Sequence, residues 1–311
     1  MGDIAIDLVT RSERKSIYFD NLCFSVSKPE RIDILKNLRG YFNAGRLSAI
    51  IGPSGAGKST FLNILSGFKK PSNESTLLIN GERISQSFIR KNSAYIAQDT
   101  TFLGKLTTKE TLEYAAKFKL PTNTSISERS TIVRLRIDDI VKLLGLEKCL
   151  HNHVEKLSGG EWKRLAIGEE LITNPPVMIF DEPTSGLDSV STIQVVKHLK
   201  DLAQSGRTVI CVIHQLSSLV LEYFDDVYVL SNGQCIYNGS VEDIVPRFQE
   251  AGFYCPQYYN RADFILDVAS GQRQGNLELL LSKARENIQM QDMIEKSFHA
   301  INTSTNGKLI K

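Results

Sequence analysis

A glycine-rich segment has the residue types and spacing needed to hold phosphate. It consists of Gly52, Pro53, Ser54, Gly55, Ala56, Gly57, Lys58, Ser59 and Thr60. It fits the pattern G-x-x-x-x-G-K-[ST], with a strand-like run before it and a helix-like run after it. Glycines let backbone amides turn toward a phosphate, and the following helix start adds partial positive charge. We expect Lys58 to bridge the β- and γ-phosphates of a nucleotide and Ser59 to bind Mg²⁺. An accidental glycine-rich turn is the alternative, and the correct flanking elements disfavour it.

Four further polar side chains follow predicted strands: Gln98, Asp181, Glu182 and His214. Asp181 could hold Mg²⁺ directly or through water, and the Gln98 amide could contact both the metal and a water. Glu182 could polarise an attacking water, which favours hydrolysis over transfer to a held substrate. His214 could hydrogen-bond the γ-phosphate. Because ligands bind at the carboxyl ends of strands in open parallel sheets, we expect these groups to gather near Lys58. Taken singly, each could be an ordinary surface or structural residue.

The segment LSGGEWKR predicts a helix whose first amides are open. Ser158 and Glu161 have capping-box spacing, and Gly159 and Gly160 between them give little side-chain cover. Such a helix start is a good anion site. Since the chain already has one phosphate site, we interpret the segment as serving a second chain. Two chains would meet face to face, each offering the amides of Ser158–Gly160 to the other's nucleotide. The alternative is an ordinary capped helix.

Strand-like and helix-like segments alternate along the chain, which predicts an α/β fold with a parallel sheet covered on both faces. The predicted strands are the apolar runs 47–51, 93–98, 177–180 and 207–214. Asn-Gly pairs at 80–81 and 232–233 predict two β-hairpins. The strands stop between about 99 and 164, where we expect a helical insertion.

The insertion and the C-terminal region carry helical patterns of their own. Residues 107–118 predict a helix with a capping box from Thr107 and Glu110. Residues 121–136 look polar and irregular, and 137–144 look helical again. Near the C-terminus, five apolar residues form one helical stripe: Leu277, Leu280, Leu281, Ala284 and Ile288.

Composition narrows the function classes. The net charge is only +2, with 37 basic and 35 acidic residues, so nothing points to a nucleic-acid partner. Five scattered cysteines without a CxxC pair favour a reduced, cytosolic setting over a disulfide framework or zinc ribbon. The N-terminus is not a secretory signal, and no apolar run reaches the ~18 residues needed to span a membrane. The histidines at 151 and 153 lack further metal or nuclease ligands.

These motifs, in this order, resemble the ATP-binding cassette superfamily. GPSGAGKST is similar to its Walker A motif, Gln98 to its Q-loop, LSGGE to its signature, VMIFDEP to its Walker B motif, SGLD to its D-loop and His214 to its switch histidine. The match covers roughly residues 17–245. NPPVMIFDEPTSGLDS, IHQLSS and NRADFILDVAS resemble the G subfamily of half-transporters, of the white and sterol-exporter type, and within it the sterol and lipid exporters.

The resemblance implies a P-loop NTPase cassette fold with a mainly parallel core sheet, an antiparallel β subdomain and a helical insertion. It implies a flexible N-terminus at 1–16, a cassette domain at 17–270, and a linker helix and tail at 271–311 leading to a membrane domain. ATP and Mg²⁺ would be the cofactors, with Ser59, Gln98 and Asp181 at the metal. A second nucleotide-binding domain, identical or related, would be the partner. The cassette would face the cytosol as part of a membrane transporter, and the isolated chain would be soluble.

The sequence departs from the subfamily at three places. Trp162 replaces the usual Arg, and Leu216 replaces the usual Pro after His-Gln. The adenine-stacking aromatic falls at Val26, with Phe24 two residues earlier, so we expect weak stacking and acceptance of GTP.

Two other classes remain open. One is a soluble cassette protein that clamps nucleic acid or ribosomes; such proteins usually have two cassettes or coiled-coil arms. The other is a regulatory half that binds ATP without hydrolysing it, which the presence of Glu182 and LSGGE disfavours. For the cargo, a lipid, a sterol or another hydrophobic molecule is expected, with a pigment precursor or other small molecule as the alternative.

Overall fold

The computed structural model describes residues 13–27, 30–120, 126–214 and 217–286. The strands are β1 (Ile17–Val26), β2 (Ile32–Phe42), β3 (Leu47–Ile51), β4 (Thr76–Ile79), β5 (Glu82–Arg83), β6 (Ser93–Ile96), β7 (Val177–Asp181), β8 (Thr208–Val212), β9 (Asp226–Ser231) and β10 (Gln234–Ser240). The helices are α1 (Lys58–Leu65), α2 (Gln86–Asn92), α3 (Thr108–Lys119), α4 (Ile126–Leu143), α5 (Gly159–Leu171), α6 (Ser189–Gln204), α7 (Ser218–Leu221), α8 (Ile244–Glu250) and α9 (Arg261–Ala269). A further helix, α10, covers 277–286.

The larger sheet is mainly parallel, as the sequence predicts. Its order is β10-β9-β3-β8-β7-β6. The strands from β9 to β6 run parallel, and β10 is antiparallel to β9. The carboxyl ends of β3, β8, β7 and β6 therefore lie along one edge, which is where the predicted site residues follow.

Both faces of this sheet are covered by apolar side chains. Along β3, Ala49 and Ile51 belong to one hydrophobic cluster and Ile50 to the other. The first cluster contains residues of α5 and α6, and the second contains α1 and residues of the smaller sheet. Burial on both faces explains why these short strands are apolar throughout instead of alternating.

The smaller sheet is antiparallel, with the order β2-β1-β4-β5. Its Phe19 ring lies 5.1 Å from the Phe61 ring of α1 and 5.7 Å from the Tyr228 ring of β9, between centroids. This aromatic cluster joins the two sheets. Both predicted hairpins are confirmed, because the Asn and Gly at 80–81 and at 232–233 all have positive φ, as a type I′ turn requires.

The helical insertion differs from the prediction in one segment. Helix α3 and its capping box are confirmed, with Glu110 N–H donating to Thr107 Oγ1. The prediction that residues 121–136 are irregular is wrong for 126–136, because α4 begins at Ile126 and continues to Leu143. Ile137, Ile140 and Val141 are buried at helical spacing. The charged residues on the other side of the helix obscured this apolar stripe; residues 121–125 lie outside the described part.

Helix α10 packs against the cassette. Leu280 and Ala284 are buried, and Leu277 and Leu281 contact the first hydrophobic cluster. The predicted stripe is therefore confirmed over these four positions, and Ile288 lies outside the described residues. Among the helices of the described part, none has the length and apolar character to cross a membrane. The boundaries at 16 and 271 stay predictions.

Candidate active site

The glycine loop (residues 52–60) connects β3 to α1, and two of its glycines are sterically required. Gly57 has a φ of 100°, and a Cβ there would lie 2.7 Å from Cδ2 of Leu35. A Cβ on Gly52 would lie 2.4 Å from the carbonyl oxygen of Leu230. The loop is thus wedged between β2 and β9 with no room for side chains at these positions. Ser59 is exposed in the first turn of α1, where its hydroxyl is accessible.

Lys58 closes the loop from inside. Only 4% of its surface is exposed, and its Nζ donates to the carbonyl oxygens of Gly52 at 2.7 Å and Pro53 at 2.9 Å. Burial lowers the pKa of Lys58, while the charges of Glu182 and Asp181 oppose this shift. The lysine therefore lies in the electrostatic field of both predicted carboxylates, as the sequence predicts.

Asp181 is the last residue of β7, and a tyrosine orients its carboxylate. The Tyr95 hydroxyl of β6 donates to Asp181 Oδ2 at 3.0 Å. Burial is the main cause that raises the pKa of Tyr95, and the neighbouring Asp181 raises it further. The tyrosine is therefore a neutral donor throughout the physiological pH range. Tyr95 was not predicted as a site residue. Its position on the strand just before Gln98 was the signal that could have indicated it.

Glu182 and His214 form a pair at the same edge. Nε2 of His214 lies 3.2 Å from Oε1 of Glu182, and the two side chains are 43% and 19% exposed. Glu182 has a φ of 49°, and its N–H donates to the carbonyl of Val212 at 3.0 Å. A non-glycine residue in this left-handed region is strained. The hydrogen bond to Val212 of β8 holds this strained conformation, and the chain turns at Glu182 directly after β7.

Gln98 lies next to the turn that follows Glu182. Its Nε2 donates to Oγ of Ser185 at 3.2 Å. The backbone carbonyl oxygen of Gln98 accepts a hydrogen bond from Nζ of Lys163 at 2.5 Å. The second contact was not predicted, because Lys163 and Gln98 are 65 residues apart in sequence.

The donor set suits Mg²⁺. Ser59 offers a hydroxyl, Asp181 a carboxylate and Gln98 an amide oxygen, all of which are oxygen ligands that Mg²⁺ accepts alongside water and phosphate. The single carboxylate is already oriented by Tyr95. In the described residues no group of three or more His, Cys, Asp or Glu side chains could hold a metal by itself. A magnesium ion here would therefore depend on phosphate oxygens for part of its coordination.

The signature segment (residues 158–160) lies at the start of α5, and its capping box is confirmed. Glu161 N–H donates to Ser158 Oγ, and Ser158 N–H donates to Glu161 Oε2 at 2.9 Å. This backbone N–H is the main cause that lowers the pKa of Glu161. Ser158 and Gly159 are exposed, whereas Gly160 is buried. The expectation that all three amides are open is wrong for Ser158, because its N–H is already bonded within the capping box. Within the described residues, no hydrogen bond joins the signature segment to the chain's own glycine loop.

The glycines of the signature segment allow close packing against the turn after β7. A Cβ on Gly159 would lie 3.0 Å from Cδ2 of Leu187, and one on Gly160 would lie 3.3 Å from Cβ of Ser191. The segment is therefore fixed to the region that follows Glu182, while the outer side of its first turn is open.

The adenine-stacking position gives little aromatic surface. Val26, at the end of β1, is partly exposed and aliphatic. Nζ of Lys69 lies 5.2 Å from the centroid of the Phe24 ring, so the lysine covers one face of this ring. The expectation of weak base stacking stays a prediction.

Comparisons with known proteins define the class. The model of the family described as ABC transporter matches residues 35–185. The structure resembles that of the ADP conformation of MJ1267, an ATP-binding cassette of an ABC transporter, with a TM-score of 0.64, 25% identity, and coverage of 76% of this chain and 96% of the other. It also resembles a bacterial Atm1-family ABC exporter with ATP bound, with a TM-score of 0.59, 30% identity, and coverage of 76% and 40%. The chain contains a P-loop ATPase cassette that binds nucleotide.

The sequence relatives refine this class. ABC transporter G family member 1 of Dictyostelium discoideum is 37% identical over 77% of this chain and 30% of its own length. Protein white of Drosophila melanogaster is 40% identical over 76% and 36%. The broad substrate specificity ATP-binding cassette transporter ABCG2 of Bos taurus is 37% identical over 85% and 42%. The chain thus spans less than half of each of these relatives. The chain carries an ABC transporter nucleotide-binding domain that is similar to those of the G subfamily.

Proposed function

We propose that this chain is the ATP-hydrolysing domain of a G-subfamily half-transporter. The observation that carries the proposal is the Glu182–His214 pair, 3.2 Å apart, at the sheet edge that also holds Lys58. A carboxylate beside a hydrogen-bond donor, both next to a phosphate loop, is the arrangement needed to activate water and stabilise a γ-phosphate.

Each residue has a role in this proposal. Glu182 polarises the attacking water, and His214 and Lys58 stabilise the charge that develops on the γ-phosphate. The glycine-loop amides cradle the other phosphates. Bound Mg²⁺ would supply charge neutralisation on the phosphate oxygens, with Ser59, Asp181 and Gln98 as its protein-side oxygen donors.

A second nucleotide-binding domain completes the site. The signature segment is exposed at Ser158 and Gly159, carries the positive end of α5, and makes no hydrogen bond with its own glycine loop within the described chain. We infer that it binds the γ-phosphate held by another chain, identical or related. ATP then joins the two domains, and hydrolysis releases them.

A membrane domain is the second partner. The insertion carries exposed apolar side chains, among them Leu103 at 73% and Phe118 at 85% exposure. In this proposal these two side chains contribute to the contact with the membrane domain. The segment after Gln98 and helix α3, which carries Glu110, would pass the motion of the cassette to that domain on the cytosolic side. We propose a lipid, sterol or other hydrophobic cargo, with a pigment precursor or other small molecule as the alternative; the similar bovine transporter is named for broad substrate specificity.

Two measurements test this proposal. The chain should hydrolyse ATP in the presence of Mg²⁺, and Lys58→Met should abolish turnover. Lys105→Met is the matched control, because Lys105 is largely exposed and its Nζ lies 3.1 Å from Oε1 of Glu155. Equal activity in the Lys58 and Lys105 variants would refute the assignment of the site.

The second measurement separates a transporter from a soluble cassette ATPase. Antibodies against this chain should detect the full-length product in the membrane fraction of its source cells, resistant to salt extraction. Recovery in the soluble fraction, associated with ribosomes or nucleic acid, would support the soluble class instead.

A further inference from the structure

The start of α5 is attached to the hydrolytic edge of its own chain from two sides. On one side, Nζ of Lys163 donates to the carbonyl of Gln98 at 2.5 Å. On the other, Gly159 and Gly160 lie against Leu187 and Ser191 of the segment that follows Glu182. The open amides are therefore held relative to two residues of the proposed site, although no hydrogen bond joins them to the glycine loop in the described chain.

Trp162 strengthens the first of these attachments. Its ring lies 5.0 Å from the ring of Phe102, between centroids, with an interplanar angle of 66°. This edge-to-face contact is a favourable geometry for two aromatic rings. Phe102 is four residues after Gln98, so the ring pair and the lysine bond connect the same two segments. Trp162 N–H also donates to Ser158 O at 2.9 Å, which places the ring one helical turn from the open amides.

The lysine bond lies close to the reacting groups. Lys163 is partly buried, and the carboxylates of Asp99 and Glu182 are the charges that act on it most strongly. Lys163 is the fifth residue of α5 and lies just beyond the first turn, where the helix dipole would disfavour a cation most strongly. Its position is explained by these two carboxylates and by the Gln98 carbonyl.

We propose that Trp162, Phe102 and Lys163 are positioning residues that orient the signature segment according to the state of the chain's own Gln98. Nucleotide bound in one glycine loop would thereby set the direction of the amides offered to the partner chain. This inference rests on the proposed function, since it requires that the signature segment acts on another chain.

The first experiment uses turnover and mixing of variants. Trp162→Ala should lower kcat about tenfold, because small misplacements of positioned groups are costly. The Kd for ATP of the same chain should stay within about twofold, because its own phosphate loop is intact. Trp162→Phe keeps a ring against Phe102 and should restore most of the rate. Thermal unfolding of Trp162→Ala and Trp162→Phe would separate a loss of fold from a loss of position.

Mixing shows on which chain Trp162 acts. An equal mixture of Trp162→Ala and His214→Ala chains should recover about one quarter of the wild-type rate per chain, because half of the dimers then hold one complete site of two. His214→Ala is used because its glycine loop should still bind ATP and its own Trp162 is intact. In such a site, the glycine loop comes from the first variant and the signature segment from the second. A mixture no faster than Trp162→Ala alone, or a Kd weakened as much as kcat, would overturn the inference.

The second experiment does not depend on turnover. Trp162 is the sole tryptophan of the chain, so its fluorescence reports on this contact alone. Adding Mg²⁺·ATP should change the emission of the wild-type chain, and Phe102→Leu or Lys163→Met should reduce that change. The matched control is Tyr114→Leu, an exposed aromatic of α3. Unchanged emission in a wild-type chain that binds ATP by equilibrium dialysis would overturn the inference. Absent hydrolysis with a changed emission would count against the proposed function only.

Discussion

Tyr95→Phe tests whether Asp181 is a magnesium ligand that needs its neighbour. The change removes one hydroxyl that donates to Asp181 Oδ2 at 3.0 Å and leaves the ring in place, 5.5 Å from Phe68 between centroids. Hydrogen bonds to charged groups contribute about 1.5–3 kcal/mol, and the partial exposure of both side chains favours the lower end. Partners that orient a metal ligand typically change metal affinity by about 10- to 100-fold.

The assay is ATP hydrolysis as a function of Mg²⁺ concentration. We expect the Mg²⁺ needed for half-maximal rate to rise about tenfold in Tyr95→Phe, with little change in ATP binding measured without Mg²⁺. Because the pKa of Tyr95 is raised above its usual value, mainly by burial, the effect should be constant between about pH 6 and 9. Tyr114→Phe, on exposed α3, is the control. A wild-type Mg²⁺ requirement in Tyr95→Phe would refute the reasoning.

Three further changes probe the loop, the pair and the cap. Gly57→Ala should lower the free energy of unfolding by about 1–3 kcal/mol and weaken ATP binding, since its φ is 100° and its site is closed; Gly186→Ala, with a φ of 74° but open surroundings, should lose only stability, as thermal unfolding and ATP titration would show. His214→Ala should slow hydrolysis with ATP binding largely kept, and unchanged turnover would remove it from the mechanism. Because the pKa of Glu161 is lowered from 4.5, mainly by the Ser158 N–H, its stabilisation is present above about pH 4.5 and is lost as pH falls through the folded-state pKa. The free energies of unfolding of wild type and Glu161→Gln should therefore converge as the pH falls. A difference that stays constant with pH would contradict this cause.

Local sequence patterns predicted much of the fold. Short apolar strands followed by polar residues predicted that Lys58, the two carboxylates and His214 meet at one sheet edge, because parallel strands end on the same side. The Glu182–His214 distance of 3.2 Å agrees with this expectation. The Asn-Gly hairpins and both capping boxes were predictable for the same reason, since each depends on residues within three or four positions.

Long-range packing was not predictable in this way. Tyr95 and Asp181 are far apart in sequence and meet only because β6 and β7 pair in a particular register. Trp162 and Phe102 meet because α5 packs beside the segment after Gln98. The first part of α4 was missed because its many charged residues obscure the apolar stripe in the sequence.

The geometry gives the departure at Trp162 a physical reading. An arginine at this position would bring another cation next to Lys163, whereas the indole contacts Phe102 edge to face. The start of α5 thus combines the partly buried Lys163 with one aromatic contact. Variants of Trp162 and Phe102 test directly whether this contact holds the signature segment.

The most direct measurement of the central claim is the ATPase rate against protein concentration for wild type and Glu182→Gln, with ATP-dependent sizing of both. We expect the wild-type rate to rise faster than linearly with protein concentration. We expect Glu182→Gln to bind ATP, form a stable dimer and turn over very slowly. Rapid hydrolysis by Glu182→Gln would contradict the role of Glu182. A rate strictly proportional to concentration, from chains that stay monomeric with ATP, would contradict the role of the signature segment.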